Sequence, residues 1–180
     1  MNNKSKHIFH LATRSSKLAA LSILLAFIIT SCGVYSFKDV SIDPQAKTVR
    51  VRYLENRARY VNPQLSPQLS ERLRQKVNNQ TRLTPVQSED AHYDISGYVS
   101  DYSVTTAGIS NQQAATNRLT VTVHVVFQNR IDPQKNFEAD VSRNFDFSAS
   151  LSLNQAEAQL GETVVRNMTD EIFNRIFSNW

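Results

Sequence analysis

Cysteine, histidine and clustered charge are where chemistry would start in this chain of 180 residues, and each is sparing. The one cysteine is Cys32. A thiolate there is a nucleophile or an acyl acceptor, and without a second cysteine it closes no internal disulfide. Beyond Cys32 the chain has two histidines, His92 and His124, and neither sits in a ligand-spaced cluster, so no metal centre is expected. His124 alternates with threonines, which suits a solvated strand position. Glu89 and Asp90 are adjacent in a polar stretch and read as a solvated turn rather than an acid/base pair. A nucleophile elbow, a phosphate-binding glycine loop and a zinc-hydrolase motif are all missing. No catalytic residue and no cofactor are expected, and the chain does not read as an enzyme.

The arginines are the more informative group. Arg50 and Arg52 share one face of a strand pattern, Arg57 and Arg59 follow just beyond, and Arg118 opens a later strand. Grouped guanidiniums offer charge-assisted donors to anionic groups such as lipid phosphates or an acidic partner. The same residues on a wet face, balanced by nearby acids, would have no such role, and both readings stand at this stage. Tyr98 and Tyr102 fall opposite Ile95 and Val99, either as a contact surface or packed under a loop.

Cys32 acquires a specific chemistry from what precedes it. Residues 1–17 carry Lys4, Lys6, Arg14 and Lys17 and no acid. An apolar run from Leu18 to Ile29 follows, shorter than the roughly 20 residues a membrane span takes. It ends in Ile29-Thr30-Ser31-Cys32-Gly33, which resembles the lipobox of bacterial lipoproteins. Residues 1–31 are therefore expected to be a removable lipoprotein signal peptide. Cys32 is expected to carry a diacylglyceryl thioether and an acylated amine, which anchors the chain to a membrane by covalent lipid. Gly33 is not the Asp that holds lipoproteins in the inner membrane in the enteric pattern.

Charge has to be recounted after that cut. The whole chain is formally +4, with 20 Lys/Arg against 16 Asp/Glu. All four basic residues of the first 31 leave with the signal, so the remainder balances 16 against 16. The basic excess belongs to the leader and gives no reason to expect nucleic acid.

The elements that position these groups follow from hydrophobic period. Residues 32–45 read as a lipidated tether, with Tyr35 and Phe37 in an edge-strand pattern and a break at Asp43-Pro44. Residues 46–180 read as one domain. Thr48–Leu54 alternates, with Val49, Val51 and Tyr53 on one face. Ser66 and Pro67 open a helix whose Leu65, Leu69, Leu73 and Val77 form a stripe, closed by Thr84-Pro85. Residues 91–106 form a second strand, with Tyr93, Ile95, Gly97 and Val99 on one face. Residues 107–117 read as a long polar connection, either an interaction tip or a plain link. Arg118–Arg130 is the clearest strand, with Val121, Val123, Val125 and Phe127 inward. Residues 131–136 make a tight connection around Pro133. A fourth strand follows, with Phe137, Val141, Phe145 and Phe147 inward. Asn154 and Glu157 resemble a capping box for a long final helix with a Leu160, Val164, Met168, Ile172, Ile176 stripe. Gly161 inside it serves either close packing or a bend. The order β-α-β-β-β-α predicts an α+β two-layer sandwich: a four-stranded mixed sheet with both helices on one face and an open face rich in Thr, Arg and Tyr.

Several segments together resemble the LptE family of lipopolysaccharide-assembly lipoproteins in its Bacteroidetes-type form. They are Cys32-Gly33-Val34-Tyr35-Ser36-Phe37, Tyr53-Leu54-Glu55-Asn56-Arg57-Ala58 and Thr81-Arg82-Leu83. Gly97-Tyr98-Val99 with Tyr102-Ser103-Val104 follows, then Asn117-Arg118-Leu119-Thr120-Val121-Thr122-Val123 and Asp132-Pro133-Gln134-Lys135-Asn136-Phe137-Glu138. The resemblance implies the same two-helix, four-stranded sandwich and no catalytic residue. It implies a lipid-anchored protein on the periplasmic side of the outer membrane that plugs and helps assemble an LptD-type β-barrel, with lipopolysaccharide as a possible ligand. A lipoprotein chaperone or pilotin for another outer-membrane pore would share the fold and differ in partner.

Overall fold

The structure is a computed structural model that describes residues 41–110 and 113–178, with the side chains of residues 110, 113 and 114 left aside. The signal segment, Cys32, Tyr35, Phe37 and Trp180 lie outside the described residues. The elements are β1 (Thr48–Val51), β2 (Glu55–Asn56), α1 (Leu65–Gln80), β3 (Thr84–Pro85), β4 (Tyr93–Ser110), β5 (Gln113–Asn129), β6 (Phe137–Ser148) and α2 (Leu153–Phe177). The class is the α+β arrangement expected, but the sheet has six strands rather than four, ordered β3-β1-β4-β5-β6, with β2 also on β4.

Both extra strands come from short segments that alternation cannot reveal. Strand β1 runs parallel to β4 at 93–95, and β2 pairs with the same strand at 98–99. Between them the chain leaves the ladder, because Leu54 turns into the core at 1% exposure and its N–H donates to Ser70 Oγ on α1 at 2.9 Å. That detour breaks the period of two, so Tyr53 is 51% exposed instead of sharing the inward face of Val49 and Val51. Strand β3 is the Thr84-Pro85 pair itself, which was expected only to close the helix. The Thr84 and Val86 N–H groups donate to the Lys47 and Val49 carbonyls at 2.8 and 2.9 Å. Pro85 has no N–H to give, which an edge strand tolerates.

The β4–β5 hairpin is longer than its sequence suggests. Most of the stretch expected as a connection, 107–110 and 113–117, is strand: β4 continues to Ser110 and β5 starts at Gln113, in antiparallel register from Tyr93↔Asn129 to Ser110↔Gln113. The ladder is made by backbone N–H and C=O groups, which every residue here supplies, so it continues past the point where alternating apolar side chains stop. Irregularities near Ser100 and Ala107 bend the hairpin. The first moves β4 on by one residue, so Tyr102 turns to the core side at 5% exposure rather than sharing the outer face with Tyr98.

The helices are capped differently from the expected pattern. Asn62 Oδ1 accepts from the N–H groups of Gln64 and Leu65 at 2.9 and 3.2 Å, while Ser66 is buried inside α1. Helix α2 carries a capping box, but built by Ser152 and Gln155 rather than Asn154 and Glu157. The 131–136 connection is a 3-10 turn at Pro133–Lys135, capped by the Asp132 side chain.

One core fills the space between the helices and the sheet. Leu69, Leu73 and Val77 of α1 meet Val164, Met168, Ile172 and Phe177 of α2 and the row Val121, Val123 and Val125 of β5, all at 3% exposure or less. No helix among the described residues is long and apolar enough to cross a membrane.

Two glycines show how local space sets the sign of one substitution. A Cβ on Gly97 would lie 2.1 Å from the backbone oxygen of His124 in the neighbouring strand. A Cβ on Gly161 would meet nothing within 4 Å. Gly97→Ala should destabilise the domain by about 2 kcal/mol, because the strand must shift. Gly161→Ala should stabilise it by about 0.5–1 kcal/mol through helix propensity. Urea unfolding midpoints of the two variants, moving in opposite directions from the parent, are the check.

Candidate functional site

Three surfaces gather polar or charged side chains: the open face of the sheet, an arginine cluster at its edge, and a groove between the helices. On the open face, β5 and β6 are joined rung by rung through their side chains. Arg118 Nε reaches Asp146 Oδ1 at 2.7 Å, Thr120 Oγ1 reaches Asn144 Oδ1 at 2.9 Å, and Thr122 Oγ1 reaches Ser142 Oγ at 3.0 Å. His124 Nδ1 meets Asp140 Oδ1 at 2.8 Å. Each partner sits directly opposite in the register. The Thr–Asn and Thr–Ser rungs are each worth about 0.2–1 kcal/mol.

A row of rings crosses the same face at right angles to the strands. The Arg57 guanidinium lies 4.5 Å over the Tyr98 ring, and Tyr98 and His124 have centroids 5.1 Å apart. His124 ends the row on Asp140, with Glu138 at 3.5 Å from its other nitrogen. Tyr98 stands opposite Glu55 on one side and His124 on the other, so the register alone brings β2, β4, β5 and β6 into line.

At the sheet edge one buried acid organises two arginines. Asp94 on β4 is opposite Arg50 on β1, and its side chain is 2% exposed. Arg52 grips it with two nitrogens, at 3.0 Å from Nε to Oδ1 and 2.6 Å from Nη2 to Oδ2. Arg50 Nε lies 3.5 Å from Asp94, and its Nη1 is 3.7 Å from Glu89 and donates to the Gln87 carbonyl at 3.5 Å. Burial pushes the Asp94 carboxyl up, but the hydrogen bond and charge of Arg52, aided by Arg50, outweigh it and hold the group below its ordinary value.

Between the helices lies a cavity of about 370 Å³ lined by Tyr60, Leu65, Tyr102, Leu119, Glu157 and Gly161 among others. It runs on into an open groove along α1 and α2 bordered by Gln68, Glu71, Arg72 and Glu162. Burial first, then the Glu157 carboxylate, push the Tyr60 hydroxyl above its ordinary value.

A family model described as LptE: Lipopolysaccharide-assembly matches residues 46–177. The chain belongs to the LptE family. The match starts at Ala46, the first buried residue before β1, and ends at Phe177, the last of α2, so it covers the whole core. No curated protein matches the sequence. Several solved structures are similar. A minor lipoprotein from Acinetobacter baumannii is 17% identical, with 72% of this chain and 91% of that one covered at a TM-score of 0.48. The rare lipoprotein B from Shewanella oneidensis is 16% identical, covering 72% and 90% at 0.45. The PelC dodecamer protein from Paraburkholderia phytofirmans is 12% identical, covering 76% and 93% at 0.47.

Within this LptE-family domain the arginines singled out from sequence do not form one patch. Arg50 and Arg52 share Asp94, Arg57 is paired with Glu55 at 2.8 Å, and Arg118 is paired with Asp146. Arg59 is exposed and makes no ion pair with a described residue. Cys32 lies outside the described residues. The histidines are engaged as well: His92 Nδ1 is 2.8 Å from Thr48 Oγ1. Among the described residues no cluster of His, Cys, Asp or Glu could hold a metal. Sequence reading passed over Asp94, although an aspartate inside an alternating strand is unusual enough to signal a partner. It also passed over Tyr60, whose place beside Tyr102 and Glu157 depends on chain folding that no spacing reveals.

The Asp94 pair sets an acid limit on stability. Its folded pKa lies below the unfolded value, so its contribution is complete above the ordinary carboxylate range of about 3.9 and fades as pH falls through the depressed value. Asp94→Asn should cost about 2–4 kcal/mol at neutral pH, because two guanidiniums lose their buried counter-charge. In paired urea titrations from neutral to strongly acidic pH, the gap between parent and variant should close as the acid limit is crossed.

Proposed function

We propose that this LptE-family chain is a non-enzymatic lipoprotein of the outer membrane, held at the periplasmic leaflet by lipid on Cys32. In this reading it plugs and helps assemble an LptD-type β-barrel that delivers lipopolysaccharide to the outer leaflet. The observation that carries the proposal is the family match across the entire core. The geometry supports it. A plug inside a barrel must meet a polar, water-bearing lumen. The open sheet face is polar and already hydrogen-bonded to itself across β5 and β6, so it can lie against such a wall without burying unmet groups.

The anchor has a defined reach. Residues 41–45 dock on the domain: the Ser41 N–H donates to the Phe177 carbonyl at 2.7 Å, and the Asp43 N–H to the Tyr93 hydroxyl at 3.1 Å. Residues 32–40 are left between lipid and fold, a span of at most about 30 Å when extended. The domain therefore works close to the membrane surface. Contact with anionic lipid or partner groups remains part of the proposal for the five arginines. Arg59, and the exposed guanidinium edges of Arg52, Arg57 and Arg118, are the groups open to it.

A mild-detergent pull-down of the tagged mature protein from its native outer membrane tests the partner. A roughly stoichiometric LptD-type barrel, identified by mass, is expected; a different pore, or none, removes the translocon role. Cys32→Ser should move the protein from the membrane to the soluble fraction and remove the lipid mass. An unchanged mass and fraction would reject the anchor.

A further inference from the structure

The cavity between the helices is built by two departures from regular structure. The bulge near Ser100 swings Tyr102 inward, so that its hydroxyl reaches Glu157 Oε1 at 2.9 Å. Gly161 stands inside α2, where glycine costs about 1 kcal/mol against alanine. Close packing does not require it, since a Cβ there would meet nothing within 4 Å. What Gly161 provides is room.

Into that room faces one charge. Glu157 accepts from Tyr102 and, at 3.4 Å, from the Tyr60 hydroxyl, and the two rings stack with centroids 5.5 Å apart. No Lys, Arg or His lines the cavity, and Glu157 pairs with no cation among the described residues. The floor is apolar, made by Leu65, Leu119, Val164 and Val165, all buried. Side-chain amides of Asn62, Gln64, Gln68 and Asn154 stand around it.

A partly buried carboxylate beside aromatic rings and above aliphatic side chains matches one kind of group: a cation on an aliphatic stem. The charge meets the carboxylate and the ring faces, and the methylenes lie on the floor. We propose that this cavity receives an arginine or lysine side chain from an extended segment of a partner protein. The enclosed cavity itself presents one carboxylate, which suits one cation; in the open groove that adjoins it Glu71 is held by Arg74 and Gln75, and Glu162 is exposed to solvent. Asn62 is already engaged, its Oδ1 by the Gln64 and Leu65 N–H groups and its Nδ2 by the Tyr102 hydroxyl, which leaves the amides of Gln64, Gln68 and Asn154 on the cavity lining to meet the backbone that would carry such a residue. The site stands whether or not the barrel is the partner.

The test is amide-resolved NMR on the full lipidated chain in detergent micelles. It is titrated separately with acetyl-Leu-Arg-Leu-amide, the corresponding glutamate tripeptide, and spermidine. Saturable shifts centred on Glu157, Gly161 and Tyr102 are expected with the arginine tripeptide alone. Glu157→Gln should weaken that binding about tenfold or more, in keeping with the loss of one charge-assisted pair. Gly161→Leu should abolish it by filling the space without lowering the thermal midpoint. Equal shifts with the glutamate tripeptide, binding that survives both substitutions, or no shifts at millimolar peptide would overturn the site. Preference for spermidine would overturn the assignment to a protein segment.

Discussion

A sheet with one apolar face needs that face covered, and this chain has two helices with which to do it. The row Val121, Val123 and Val125 on β5 is dry only because α1 and α2 lie over it with Leu69, Leu73, Met168 and Ile172. Burying side chains of this size stabilises the fold by about 1.5–3 kcal/mol each. Where the helices stop, the hairpin continues as polar strand, and Ile109 there is 74% exposed.

The uncovered face is organised by the opposite requirement. Its side chains stay wet and so must pair with each other or with water. They pair across β5 and β6 in register, and at the sheet edge Arg50 and Arg52 share Asp94, with Glu89 as a second acid beside Arg50. The result is a face whose β5–β6 side chains are paired with one another, while at the edge the buried Arg50 Nε has an ion pair but no hydrogen bond among the described residues. The helix cavity differs, since the one carboxylate that faces into it, Glu157, meets only tyrosine hydroxyls among the described residues.

Much of this was legible in the residues. The helix stripes of Leu69, Leu73 and Val77 and of Val164, Met168 and Ile172 are buried as their spacing implied. Inward and outward residues of β5 separate as their alternation implied. The errors fall where one residue is added to or lost from a period. The detour at Tyr53-Leu54 and the bulge near Ser100 each reverse the faces that follow, and an alternating pattern carries no mark of where such a slip occurs. The caps failed for a related reason: Ser66 and Asn154 are good capping types, but α1 begins after Gln64, which offers no side-chain cap, and α2 begins after Ser152.

By itself, then, the sequence determined the class of fold, the inner and outer faces of the long strand and both helices, and the family. These depend on period and on phrases of consecutive residues, which a chain carries without folding. Tertiary structure alone decided that β1 and β2 share β4 as partner, that the Arg50 and Arg52 charges end on Asp94, and that Tyr60, Tyr102, Glu157 and Gly161 enclose one cavity. Those residues lie up to 101 positions apart. They meet because two helices must close over one sheet, a constraint that belongs to the packed core and not to any local stretch.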